Sequence, residues 1–442
     1  MATRLDAGGA NGQTRVAYVN ARLIDPASGI DAQGALLTEG ERIADLGPGL
    51  FKSGVPEGIE RVDCRGLVLA PGLVDMRVQL REPGEEHKET IASAGAAAIA
   101  GGSTSMACRP NTEPVIDDVS GIEFIARRAR EVKRAKVYAY AAATRELAGK
   151  DISEIGLLKE AGAVGFTDGV RAIADAGVMR RALSYATAFD ALIVQHAEEP
   201  SLARDGAMTE GEIATRLGIP GIPVCAESML VARDLRLVEL TGGRYHVAHV
   251  STGETVELIR GAKKKGLNVT CDTAPPYFAL NELAVGDYRS FAKLSPPLRA
   301  EEDRRAIVEG LADGTIDAIA SDHAPQDQDS KRLPFVQAEC GGIGLETLLA
   351  LALGLYQNKN LALIDVLRRM TDAPARILGL AAGRLEKGAP ADFILLDPDR
   401  PWVVEEKAIR SKSKNTPFER RPVQGMAMRT VIDGRTVFQA GA

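Results

Sequence analysis

Eight short runs rich in Val, Ile and Ala recur along this chain of 442 residues, separated by charged, Ala- and Leu-rich stretches of helical character. The runs are 67–79, 102–109, 135–143, 163–168, 192–196, 245–250, 267–273 and 316–323. Their mean spacing of about 36 residues suits one strand, one helix and modest loops per unit. Near-continuous apolar strands alternating with helices are typical of a parallel sheet covered on both faces. The pattern predicts an α/β fold, a (β/α)8 TIM barrel, with a doubly wound open sheet as the alternative.

The two ends of the chain carry a different pattern. Residues 15–66 contain strand-like runs broken by turns, and the segments 383–397 and 426–438 have the same character. A hairpin is predicted around Asp433-Gly434, because this dipeptide favours a two-residue turn between strands. We therefore predict a small β-sandwich domain built from both termini. In this division 1–14 is a disordered polar leader, 15–66 and 383–442 form the composite β domain, and 67–382 form the barrel.

Charge and composition restrict the possible partners and compartment. The net charge is −6, which argues against a general nucleic-acid or anionic-membrane partner. No apolar run approaches the roughly 18–20 residues of a membrane helix. The polar N-terminal segment does not resemble a signal peptide. Five cysteines occur singly, without a CxxC pair, as expected for buried, reduced thiols. We expect a cytoplasmic protein.

Polar residues that follow the apolar runs are the candidates for chemistry, because the active site of a (β/α)8 barrel lies at the C-terminal ends of its strands. Four of the five histidines fall at such positions. His196, His249 and Asp168 could together hold one divalent metal such as zinc. Asp322, after the last run, could act as general base toward a metal-bound water. The alternative is that each histidine caps a strand or satisfies a buried carbonyl group.

Arg81 and Asn111 are candidates for binding a substrate carboxylate and an amide. The planar guanidinium of arginine suits bidentate recognition of a carboxylate. For Arg81 the alternative is a salt bridge to a nearby acidic residue, namely Glu82, Glu85 or Glu86.

Several motifs resemble those of the dihydroorotases of the amidohydrolase superfamily, from about residue 15 onward. They are 71–76 (PGLVDM), 80–84 (LREPG), 109–114 (RPNTEP), 320–325 (ASDHAP), 341–347 (GGIGLET) and 415–418 (NTPF). The resemblance implies a metal-bearing barrel that interconverts carbamoyl-aspartate and dihydroorotate in pyrimidine biosynthesis. It also implies roles for individual residues. Asp168, His196 and His249 match metal positions, Asp322 matches the base, and Arg81 and Asn111 match contacts to the substrate carboxylate. Gln326 stands at a substrate-binding position where the family often has histidine.

The chain departs from the family at the motif after the first strand. The family pattern there is His-x-His-Leu-Arg, in which both histidines bind metal, whereas residues 77–81 read RVQLR. Arg77 and Gln79 therefore mark two lost metal ligands. A guanidinium would repel a divalent cation, since even unit charges about 4 Å apart interact by roughly 4 kcal/mol at an effective dielectric constant of about 20. We expect Arg77 to pair with Asp168 or Asp322, and either no metal or one zinc at partial occupancy.

The loss of these ligands places the chain nearest the metal-ligand-deficient, pseudo-dihydroorotase branch of the family. Some proteins of that branch are structural partners of aspartate transcarbamoylase. The resemblance therefore predicts a non-catalytic partner of aspartate transcarbamoylase that is itself a homo-oligomer. One alternative is an active dihydroorotase with a single metal at the surviving site. A second is a binding module that senses carbamoyl-aspartate or dihydroorotate through Arg81 and Asn111.

Overall fold

The computed structural model describes residues 14–441, so the leader predicted over 1–14 lies outside the described residues except for Thr14. The strands are β1 Arg15–Asp25, β2 Ile30–Glu39, β3 Arg42–Gly47, β4 Glu60–Asp63, β5 Val68–Pro71, β6 Leu73–Val78, β7 Ser103–Cys108, β8 Lys136–Ala139, β9 Leu192–His196, β10 Met208–Thr209, β11 Gly221–Ile222, β12 Arg244–Ala248, β13 Val269–Thr273, β14 Ala318–Ile319, β15 Phe393–Val403, β16 Pro422–Ile432 and β17 Arg435–Gln439. The α-helices are α1 Ile91–Ala100, α2 Val119–Val132, α3 Ile155–Glu160, α4 Ala176–Ala186, α5 Pro200–Ala203, α6 Glu212–Leu217, α7 Cys225–Thr241, α8 Gly253–Lys264, α9 Pro275–Ala279, α10 Glu301–Ala312, α11 Gln328–Lys331, α12 Leu348–Gln357, α13 Leu363–Arg368 and α14 Asp372–Leu378.

The barrel is a closed ring of eight parallel strand positions. Strands β6, β7 and β8 pair in that order, and β9, β12, β13 and β14 form a second parallel group. Phe166 joins the two groups through single parallel bridges to Ala141 and Ile193, and a bridge between Val78 and His323 closes the ring. The predicted (β/α)8 barrel with a small β-sandwich domain is confirmed.

The fourth apolar run, 163–168, is the least regular position of the ring. Only Phe166 pairs with both neighbours, so the run forms no extended strand. Gly165 lies in its centre, and a Cβ atom there would come within 2.8 Å of the Tyr140 ring. A glycine inside a strand lowers its stability and permits such close packing against the backbone.

The first apolar run, 67–79, contributes one strand to each of two sheets. The prediction of one barrel strand over its whole length is therefore wrong. Strand β5 pairs with β1 and β15 in an eight-stranded sheet formed by both ends of the chain, and the barrel begins with β6. The two strands are separated only by Gly72, where a Cβ would come within 2.2 Å of Thr104. This short junction ties the terminal sheet to the barrel. The domain boundaries at residues 66 and 383 stay predictions.

The hairpin predicted around Asp433-Gly434 is confirmed. Strands β16 and β17 pair through Ile432 and Arg435, which leaves a two-residue loop. Asp433 and Gly434 both have positive φ angles, of 47° and 70°. These angles are typical of a type I′ turn, whose twist matches that of the flanking strands.

Apolar side chains fill the space between the barrel strands and the surrounding helices, and a separate cluster around Tyr18, Leu36 and Phe393 lies against the terminal sheet. Helix α2 shows how the local sequence supports this packing. The Asp118 side chain accepts a hydrogen bond from the Gly121 amide and so caps the helix start, while Ile122 is buried. Within residues 14–441, every helix falls short of the length and apolar character needed to span a membrane.

Candidate functional site at the barrel mouth

The barrel mouth is defined here as the end of the barrel where Arg77, Arg109, His196, His249 and Asp322 lie. Arg77 belongs to β6, and Arg109 immediately follows β7. His196 ends β9 and His249 directly follows β12. Because the strands are parallel, their C-terminal ends bring residues distant in sequence to one face.

An ion pair engages Arg77, the residue at one of the metal-ligand positions that the resemblance implies. Arg77 Nε donates a hydrogen bond to Asp322 Oδ1 at 3.0 Å, and the two side chains are 3% and 15% exposed. Arg77 Nη2 also donates to the Gly169 carbonyl at 3.3 Å. The expectation that Arg77 pairs with one of two carboxylates is confirmed for Asp322. The group predicted to act as a base is therefore engaged by a cation.

The second replaced position, Gln79, is engaged as well. Its Oε1 accepts a hydrogen bond of 2.8 Å from Arg109 Nη2, and Arg109 Nη1 lies 3.8 Å from Asp322 Oδ1. Burial, followed by the neighbouring charge of Arg77, lowers the pKa of Arg109 to about 9, so that the group is charged at neutral pH. Sequence reasoning assigned Arg109 no role. The available signal was its place at the end of the second apolar run, beside Asn111.

Two of the three predicted metal ligands lie together. His196 Nδ1 and His249 Nε2 are 3.0 Å apart, within hydrogen-bond distance. Burial, with the adjacent Arg77 among the further causes, holds the pKa of His249 well below its usual value. His196 Nε2 lies 3.6 Å from Glu198 Oε2 and 3.4 Å from Ser295 Oγ. A neutral His249 ring, in contact with His196, therefore fills this side of the mouth.

Asp168, the third predicted ligand, is turned to another partner. Its carboxylate accepts hydrogen bonds from the Thr144 amide, at 2.9 Å, and from the Thr144 hydroxyl. The part of the chain that the structure describes contains no group of three or more His, Cys, Asp or Glu side chains placed to hold a metal ion. The predicted set of Asp168, His196 and His249 is thus not assembled as one three-ligand group, and the Asp168 carboxylate is hydrogen-bonded to Thr144 instead.

The residues predicted to contact substrate are largely engaged with the protein. Arg81 Nη1 pairs with Glu85 Oε2 at 2.5 Å and its Nε donates to the Pro325 carbonyl at 3.0 Å, so the salt-bridge alternative for this arginine is present. Gln326 Nε2 donates to the Cys340 carbonyl at 2.7 Å. Asn111 differs, because its buried Oδ1 has no hydrogen-bond partner among residues 14–441. Their roles in substrate binding stay predictions.

The donor set does not fit the divalent centre that the resemblance implies. Arg77 places a fixed cation at the mouth, and Gln79 uses its oxygen to bind a second guanidinium. A cavity bordered by Asp322 and Leu294 has a volume of about 20 Å³, room for roughly one water molecule. A guanidinium and an already hydrogen-bonded carboxamide therefore stand at the two positions where the resemblance implies imidazole ligands.

Comparison with known proteins identifies the family. A family profile described as Dihydro-orotase-like matches residues 66–255, and one described as Amidohydrolase family matches 344–438. A protein of Anaplasma phagocytophilum named Dihydroorotase is 45% identical over 439 residues, covering 98% of this chain and 97% of the relative. A protein of the same name from Syntrophus aciditrophicus is 46% identical over 418 residues, covering 95% of this chain and 98% of the relative. The chain belongs to the dihydroorotase family.

Solved structures similar to this member of the dihydroorotase family share its architecture. The L-hydantoinase (dihydropyrimidinase) of Arthrobacter aurescens is 26% identical, with a TM-score of 0.86 over 97% of this chain and 96% of that chain. The dihydropyrimidinase of Brevibacillus agri NCHU1002 is 21% identical, with a TM-score of 0.83 over 96% of this chain and 95% of that chain, and shows the fold alone. The barrel mouth of this chain therefore lies in a fold that these solved structures share.

Proposed function

We propose that this chain is a metal-deficient member of the dihydroorotase family that does not hydrolyse dihydroorotate. In this proposal it acts in pyrimidine biosynthesis as a structural partner of aspartate transcarbamoylase. The observation that carries the proposal is the ion pair between Arg77 and Asp322 at the barrel mouth. One replaced ligand position now carries the cation, and the candidate base is its counter-ion.

Electrostatics supports the loss of catalysis. A divalent ion near Arg77 would be repelled by more than the roughly 4 kcal/mol expected for two unit charges about 4 Å apart in a medium of effective dielectric constant about 20. Asp322 could serve as a base only after leaving the guanidinium, which would uncover a buried cation. Both costs oppose the metal-assisted reaction class of the family.

The names of the relatives favour a second candidate, an active dihydroorotase with a single zinc. Relatives at 45% identity are named Dihydroorotase, and His196 and His249 lie together as a possible pair of ligands. Asp168 would have to leave Thr144 to complete that site. The sensor alternative has less support, because Arg81 is already paired with Glu85.

Zinc content and turnover of the purified chain separate the first two candidates. The proposal predicts substoichiometric zinc and no hydrolysis of dihydroorotate above background, even after incubation with excess zinc. The dihydroorotase of Anaplasma phagocytophilum, prepared and assayed in parallel, is the positive control. Near-stoichiometric zinc together with turnover would establish the second candidate in place of the first.

Co-elution tests the structural role. The chain and the aspartate transcarbamoylase of the same organism are mixed and separated by size exclusion, with an unrelated protein of similar mass in place of the transcarbamoylase as the control. One early peak that contains both proteins is expected, and two independent peaks would contradict the proposed partnership. The chain run alone reports whether it is a homo-oligomer, as we propose. A cytoplasmic location is part of the same proposal.

A further inference from the structure

The replaced residues at the barrel mouth form one connected network. Arg77 contacts Asp322, Asp322 lies near Arg109, and Arg109 contacts Gln79. The members come from three barrel strand positions, because Arg77 and Gln79 belong to the first, Arg109 to the second and Asp322 to the eighth. The network therefore joins the strands on both sides of the point where the barrel closes, at the Val78–His323 bridge.

Arg109 is the member that the loss of two histidines does not explain. It is buried, and it takes the Gln79 amide oxygen as acceptor at 2.8 Å. Its Nε has no hydrogen-bond partner within the described residues. A buried guanidinium needs an anion or acceptors close by. Gln79 supplies a neutral acceptor, and Asp322 supplies a negative charge that Arg109 shares with Arg77.

We propose that Arg109 is the third member of a metal-excluding network, and that Arg77, Gln79 and Arg109 together replace divalent metal as the cross-link between these barrel strands. This inference rests on the proposed metal deficiency and goes one step beyond it. If histidines are restored at positions 77 and 79, the buried guanidinium of Arg109 still lies 3.8 Å from Asp322. Asp322 is the group that would act as base toward a metal-bound water. The restoration also takes from Arg109 the acceptor at position 79.

The test compares zinc uptake by two sets of substitutions in the full-length chain. The double variant Arg77→His/Gln79→His is expected to bind zinc weakly. The triple variant Arg77→His/Gln79→His/Arg109→Met is expected to bind zinc at least about tenfold more tightly, since removing one charge or one supporting contact commonly changes metal affinity by about 10–100-fold. Zinc content after dialysis and zinc titration measure the difference, without any assay of activity.

Two control variants separate charge from general effects of substitution. Arg109→Lys in the double background keeps the cation and is expected to leave zinc binding weak. Arg236→Met in the same background removes an arginine that is 75% exposed and pairs with Glu239, so zinc binding is expected to stay at the level of the double variant. Because methionine at position 109 could impair folding, a second triple variant uses Arg109→Gln, which keeps a hydrogen-bonding amide.

The outcomes distinguish this inference from the proposed function. Stoichiometric zinc in the wild-type chain overturns the proposed function itself. A zinc-free wild type with equal zinc affinity in the double and triple variants overturns only the role of Arg109. Failure of both triple variants to fold in the presence of zinc also counts against the inference, because zinc should then take over the cross-link. Zinc-dependent thermal stability in the triple variant, absent from the wild type, supports it.

Discussion

Two pairs of buried cations lie near this end of the barrel, and the protein accommodates them differently. At the mouth, Arg77 and Arg109 share the Asp322 carboxylate. In the segments that follow, Lys293 Nζ donates to the carbonyls of residues 336 and 338, both at 2.7 Å, and Lys331 Nζ donates to those of residues 293 and 339, at 3.3 and 2.7 Å. Within the described residues, neither lysine forms a salt bridge.

The difference follows from the chemistry of the two side chains. A guanidinium keeps its charge at neutral pH, so a buried pair of arginines needs a carboxylate. An ammonium can lose its proton when desolvated. Burial lowers the pKa of Lys331 to about 8, so this ammonium, which only backbone carbonyls accept from in the described residues, can be deprotonated at mildly alkaline pH. At neutral pH the arginine pair thus depends on the Asp322 carboxylate, whereas Lys331 can lose its charge at mildly alkaline pH.

Removing the Asp322 carboxylate, which Arg77 and Arg109 share, should give the largest loss of unfolding free energy. Asp322→Asn keeps the shape of the side chain but leaves Arg77 and Arg109 without a counter-ion, and breaking a buried pair in this way costs about 3–5 kcal/mol of unfolding free energy. Chemical denaturation at neutral pH measures the loss. Glu239→Gln, in an exposed pair with Arg236, is the control and should change stability by no more than about 0.5 kcal/mol. A loss below about 1 kcal/mol for Asp322→Asn would contradict the dependence on this carboxylate.

The contribution of Lys331 to stability should depend on pH. Lys331 has a folded pKa of about 8 against 10.5 for a free lysine, so between these values the unfolded chain binds more protons and stability rises with pH. The full difference corresponds to about 3 kcal/mol. Lys331→Met should abolish this rise, as seen from denaturation midpoints between pH 7.5 and 10.5, while Lys264→Met at an exposed position should retain it. Parallel stability curves for Lys331→Met and wild type would refute the lowered pKa.

The energy of the arginine–carboxylate contact can be isolated by a double-mutant cycle. Arg77→Met, Asp322→Asn and the double variant should show a coupling free energy of about 1–3 kcal/mol, since the two groups are in direct contact and largely buried. Denaturation curves of the four proteins give this value. A coupling indistinguishable from zero would show that Asp322 is held by other contacts.

Substitution on the side of the mouth formed by His196 and His249 should change the unfolding free energy least. The hydrogen bond between His196 and His249 involves the neutral ring of His249. A hydrogen bond of this kind contributes about 1 kcal/mol to stability. His249→Gln, which can still form a hydrogen bond, should therefore lower the unfolding free energy by about 1 kcal/mol or less at pH 7. A loss as large as that of Asp322→Asn would remove the contrast between the two sides of the mouth.

The sequence predicted the barrel because strands that are buried on both faces are apolar along their whole length, and the apolar runs show this composition. It could not show which sheet a run joins. The run 67–79 divides between β5 and β6 with no change in composition, because both strands are buried. Nor could it show that the fourth position joins its neighbours through bridges at Phe166 and not through an extended strand.

The sequence predicts the part of the site in which the chemistry of one residue determines its partner. A guanidinium in place of a metal ligand must find a carboxylate, and Arg77 does so at Asp322. Arg109 was missed because its acceptor, Gln79, lies 30 residues away and no local pattern connects them. The sequence groups Asp168 with the histidines, because nothing in it indicates that Thr144 binds the Asp168 carboxylate.

The way the two ends of the chain share one sheet has a consequence for synthesis on the ribosome. Pro71 in β5 pairs with Phe393 in β15, 322 residues later. The edge of β5 therefore stays open while almost the entire barrel emerges, and exposed strand edges promote aggregation. A nascent chain that stalls or is truncated before residue 393 would present this edge to chaperones and proteases, even if all eight barrel positions had already been translated.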